Sequence, residues 1–120
     1  MEELPEKYRH DLLIIQETAE QITRDINLDG FNIHFSGNPK TAFPELMNQL
    51  LPLVSKIFNT DKVFFQKLLY RVDIPEKEYK KVLSKSDHEG IDEALTALII
   101  RRAFQKVLTR NYFKFKTDNQ

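Results

Sequence analysis

Apolar residues recur at three- and four-residue spacing along most of this chain, and the first run is the clearest. Tyr8, Leu12, Ile15, Ala19, Ile22 and Ile26 are spaced 4, 3, 4, 3 and 4. At about 100° per residue they fall within roughly 80° of arc, a narrow seam along one side of a helix. Asn27 to Gly30 supplies the stop. A chain made of such runs must bury each seam against another helix. The expected fold is therefore mainly all-α, a compact bundle of four to five helices. Leu13 and Ile14 miss the seam and sit on the opposite side, among Arg9, His10, Glu17 and Arg24. Either a second element covers them or they meet another subunit or a partner. They are the candidate protein interface.

Residues 31–36 change period. Phe31, Ile33 and Phe35 alternate with Asn32, His34 and Ser36, and Ser36-Gly37-Asn38-Pro39 reads as a turn. One short extended or β segment is thus expected after helix 1. The other alternating stretch is Tyr112-Phe113-Lys114-Phe115-Lys116, so pairing of the segment with the C-terminus is one expectation. An extended segment packed on the helices by its Phe and Ile side chains is the other. Left unpaired, it would offer an open edge to which a partner strand can add.

The remaining periodicity is helical. A second helix is expected from Thr41 or Pro44 to Phe58, with one broad apolar face and Pro52 on its polar side. A third is expected from a cap at Asn59 or Thr60 to Val72. Phe64, Phe65, Leu68, Leu69 and Val72 share one of its faces, while Val63 and Tyr70 lie on the other, so a central position is expected. A short fourth helix follows Pro75 and carries Tyr79, Val82 and Leu83. The fifth is expected from Ile91 to Tyr112, with Ser86 to Glu89 as a capping box. Its apolar stripe switches sides near Ile100, which predicts two different neighbours along its length or a bend.

Composition narrows the function. A length of 120 residues fits a single helical domain over 1–120. With no Cys, disulfides, thiolate nucleophiles and Cys-ligated metal centres are excluded. His10, His34 and His88 lie far apart and form no ligand motif, and no P-loop, G-x-G-x-x-G or G-x-S-x-G is present. No catalytic, cofactor-binding or metal site is expected, and the chain is read as not an enzyme. Its acidic start lacks the basic-then-apolar pattern of a secretory signal, and its apolar runs are short. A soluble cytoplasmic protein with no membrane contact is expected.

The 18 basic and 18 acidic residues cancel overall but are unevenly placed. Residues 1–30 carry eight acids against three bases, and residues 101–120 carry six bases against one acid. The two ends can attract each other within one fold or between chains. Arg102, Lys106 and Arg110 stand at i, i+4 and i+8, with Arg101 beside them and Lys114 beyond. Such a stripe repels itself unless acids or phosphates answer it. The leading expectation is a non-catalytic interaction or regulatory module, with an unidentified protein or a second copy as partner. The alternative is a nucleic-acid-associated protein that uses the basic C-terminal helix, with Tyr112, Phe113 and Phe115 stacking on bases.

Overall fold

A computed structural model describes residues 11–85 and 90–118, with side chains described as far as Phe113. Among the described residues there are five helices: α1 (Leu12–Ile26), α2 (Ala42–Thr60), α3 (Lys62–Arg71), α4 (Glu76–Lys85) and α5 (Ile91–Asp118). No strand occurs among the described residues. The radius of gyration, 14.7 Å, is close to the ~14 Å expected of a compact chain of this length.

Several starts and stops have a local cause. Asp11 caps α1, its carboxylate accepting from the Ile14 N–H at 3.2 Å. Tyr8 and the first turn expected around it lie outside the described residues. Asn27 closes α1 in the left-handed conformation, and Arg71 Nη1 donates to the freed Ile26 carbonyl at 3.0 Å. Asp61, not Asn59 or Thr60, caps α3 by accepting from the Phe64 N–H at 3.0 Å. The expected capping box at Ser86 to Glu89 lies outside the described residues.

The seam of α1 is buried as its spacing requires, with Ile15, Ala19, Ile22 and Ile26 in the core. Thr18 joins them because its hydroxyl donates to the Ile14 carbonyl at 2.8 Å, so no polar atom is left unpaired. Helix α2 buries Ala42, Leu46, Leu50, Val54 and Ile57 and continues through Pro52. Helix α5 is the central element and packs against α1, α2 and α4. Ala94 to Thr96, Leu98 to Ile100, Ala103, Phe104 and Val107 are all buried. Its switching stripe has the expected cause: the first turns meet α2, where Ser55 and Asn59 bond to Asp92, and the later turns run antiparallel to α1.

Two expectations are overturned. Tyr112 to Lys116 forms no strand and pairs with no segment among the described residues; it continues α5 to Asp118. Once a helix is nucleated, each further residue adds a hydrogen bond. No Gly or Pro interrupts this stretch, so helix propagation outweighs a five-residue alternation. Helix α3 is also not central. Val63 is 68% exposed and Tyr70 84%, while Phe65, Leu68 and Leu69 face the core.

Candidate functional site

The basic stripe of α5 is engaged along its length with protein oxygens. Lys106 Nζ lies 2.9 Å from Asp25 Oδ2 and 2.9 Å from Asp73 Oδ2. Lys106 and Asp25 are only 17% and 15% exposed, so this pair is largely shielded from water. One turn back, Arg102 Nε donates to the Asp73 carbonyl at 3.2 Å. One turn on, Arg110 Nη1 donates to Gln21 Oε1 at 2.8 Å and Nη2 approaches Glu17 Oε2 at 4.0 Å. Asn111 Nδ2 also donates to Glu17, at 3.2 Å. The acids of α1 and the turn after α3 thus answer the stripe that the spacing left exposed to self-repulsion. Arg101 is half-buried, and the side chain of Lys114 lies outside those described.

The sequence offers Asp73 as half of a carboxylate pair with Glu76 at a helix start, not as a partner of the stripe. It sits in the left-handed region (φ 61°), where most side chains are strained, although Asp is among the residues that tolerate it. Its carboxylate and its carbonyl each hold one cation of α5, which accounts for a side chain where a glycine would be less strained. A signal existed in the acid just before Ile74-Pro75, but its partner lies 33 positions along the chain and no local spacing points to it.

The apolar pair on α1 is split. Leu13 is 63% exposed, whereas Ile14 is half-buried against the core. Because Glu17 meets Arg110 and Asn111, Leu13 lies at the same end of the α1–α5 pair as Tyr112 and Phe113. Those two rings are each 60% exposed and meet edge-on at 5.6 Å.

A third feature lies between α1 and residues 31–36. Phe31, Ile33 and Phe35 are half-buried against the core, and Asn32, His34 and Ser36 are exposed. Two side chains one turn apart on α2 tie this segment down. Gln49 Oε1 accepts from the His34 N–H at 2.9 Å and Nε2 donates to the His34 carbonyl at 2.7 Å. Glu45 accepts from the Ser36 N–H at 2.7 Å, from the Ser36 hydroxyl at 2.8 Å, and from the Thr41 hydroxyl. On the α1 side is a groove of about 610 Å³, bounded by Gln16, Ala19, Glu20, Thr23 and Arg24 and by Asn32 to Phe35.

The Thr41 hydroxyl, then the Ser36 N–H and hydroxyl, hold the Glu45 carboxyl below its ordinary value of 4.5. A depressed carboxyl stabilises the fold above its unfolded-state pKa, and that contribution is lost as pH falls through the lower folded-state value. In thermal melts, wild type is expected to exceed Glu45→Gln at pH 7, with the gap closing below pH 4.5. A gap of constant size from pH 7 to pH 3 would show that the charge of Glu45 does not hold the segment.

The Ser55 hydroxyl donates to Asp92 and so ties α2 to α5. Among the described residues no group of three or more His, Asp or Glu could hold a metal ion. No helix among them is long and apolar enough to cross a membrane. Comparison with known proteins finds no family model, no curated protein and no solved structure that matches this chain.

Proposed function

We propose that this chain is a non-catalytic protein-interaction or regulatory module of the cytoplasm, able to bind another protein or a second copy of itself. The observation that carries this reading is the apolar end of the α1–α5 pair, where Leu13, Tyr112 and Phe113 are each at least 60% exposed. Several large exposed side chains at one end of a helix pair are what a partner surface needs. Nucleic-acid association is the second reading. Tyr112 and Phe113 offer it exposed rings, but Lys106 is paired with Asp25 and Asp73, and Arg102 and Arg110 are bonded to the Asp73 carbonyl, Gln21 and Glu17.

Leu13→Asp tests the reading. Leu13 lies in the first turn of α1, which has no acid, and the helix dipole favours one there. Stability should stay within about 0.5 kcal/mol. Capture of a nuclease-resistant partner from native lysate, or self-association by sedimentation, should fall at least about tenfold, the equivalent of about 1.4 kcal/mol. Ile14→Asp, by contrast, should destabilise by about 1–3 kcal/mol because it places a carboxylate against the core. Partners that vanish with nuclease treatment, or that ignore Leu13→Asp, would remove this reading.

A further inference from the structure

We infer that residues 31–36 are an extended ledge whose free edge, with α1, forms a docking groove for an extended peptide of about four residues. This rests on the interaction reading but uses a different face of the molecule. The N–H and carbonyl of His34 both reach the one side-chain amide of Gln49. The two groups point the same way in an extended residue, as when paired residues exchange both bonds in an antiparallel ladder, and point in opposite directions along a helix. The exposure of side chains from Phe31 to Ser36 alternates with the same period of two.

In an extended chain the neighbouring residues turn their main-chain groups to the other edge. Those of Ile33 and Phe35 therefore face away from Gln49. Among the described residues they have no hydrogen-bond partner. They form a row of donors and acceptors repeating at about 7 Å, which is the chemistry of a strand awaiting a neighbour.

Beside the segment lies the groove of about 610 Å³, a volume in the range of sites that enclose small ligands. Its α1 wall, from Gln16 to Arg24, rises about 12 Å. Its ledge, from Asn32 to Phe35, spans about 10 Å, or room for about four extended residues.

The walls select the occupant. An incoming strand must lie about 4.8 Å from the ledge with α1 on its other side. The 31–36 segment of a second copy carries its own α2 on its far edge, held there by Glu45 and Gln49. A helix about 10 Å across cannot enter where α1 already stands. A free peptide strand has no such attachment. Ala19, Ile33 and Phe35 offer apolar surface to alternate side chains, and Gln16, Glu20 and Arg24 offer polar groups to the others. The partner class is an extended peptide that alternates apolar and polar residues.

The probe is acetyl-(threonyl-valyl)3-amide, with two analogues N-methylated on either all threonyl or all valyl main-chain nitrogens. Titrated into the full ¹⁵N-labelled chain, the parent peptide should move the amide signals of Ile33 and Phe35 most. Only one edge of the peptide bonds the ledge, so one analogue should bind at least about tenfold more weakly and the other close to the parent. Glu20→Trp, on the exposed wall, should fill the groove and weaken binding at least about tenfold without lowering the melting temperature, while Glu20→Ala should bind within about twofold of wild type. Absence of shifts at Ile33 and Phe35 with millimolar peptide, or equal binding by all three peptides, overturns the inference. So do shifts of these amides with protein concentration alone, which would put a second copy in the groove. If the peptide fails while Leu13→Asp still releases its partner, the groove is wrong and the apolar end stands. If the peptide binds while Leu13→Asp changes nothing, the apolar end is wrong and the groove stands.

Discussion

Replacing Lys106 with methionine should lower the unfolding free energy by about 3 kcal/mol, a large share of what holds a domain of this size together. The cause is the group left behind more than the bond removed. Asp25 is 15% exposed and would be left with the Gln21 amide at 3.0 Å as its donor among the described residues. An uncompensated carboxylate in that position costs far more than an exposed ion pair contributes. Urea denaturation at pH 7 should show a lower midpoint with an unchanged slope. Adding Asp25→Leu to Lys106→Met should recover most of the loss, since apolar residues of similar volume replace a buried pair at little cost. A loss under about 1 kcal/mol, or no recovery in the double variant, would mean the pair is hydrated in solution. The same geometry governs tests of nucleic-acid binding. Reversing Arg102, Lys106 and Arg110 to Glu would set new carboxylates against Glu17, Asp25 and Asp73, and any lost binding would report unfolding. The salt dependence of wild-type binding is the cleaner measurement, because it counts phosphate contacts without altering the fold.

Legibility followed the range of the interactions involved. Ile15, Ala19, Ile22 and Ile26 could be placed in a core because a helix turns by a fixed angle and a seam needs no knowledge of its partner. The side switch in α5 was readable for the same reason, and its two neighbours are α2 and α1. The charge asymmetry of the two ends also carried through: Asp25 and Glu17 meet Lys106 and Arg110 more than 80 positions away. What did not carry through depended on choices between near-equal local options. Tyr112 to Lys116 alternates like a strand, but α5 was already nucleated and simply continued. Val63 and Tyr70 lie opposite Phe65 and Leu68 on α3, and periodicity cannot say whether a second apolar face is covered. Nothing in the sequence singles out Gln49 and Glu45 on α2. The bonds of Gln49 leave no spacing signal, because they are made to main chain 15 residues away.

Phe65→Ala and Val63→Ala, two positions apart on α3, should give opposite results. Phe65 is buried and packs edge-to-face on Phe58, with ring centroids 5.1 Å apart, while Lys62 holds its ammonium 3.7 Å over the Phe58 ring. Truncation removes the apolar area of the ring and leaves a cavity among helices that relax only in part. About 4 kcal/mol should be lost, with Phe65→Leu losing markedly less because it fills more of the space. Val63 faces solvent, so Val63→Ala should stay within about 0.5 kcal/mol and gain slightly from the better helix propensity of alanine. Chemical denaturation of the three variants at one protein concentration separates these values, and a tenfold dilution series adds the decisive comparison. If Val63→Ala costs as much as a core change, α3 is covered on both faces in solution. Should that cost shrink on dilution, the cover is a second copy of the chain, and the exposed face with Val63 and Tyr70 is its contact.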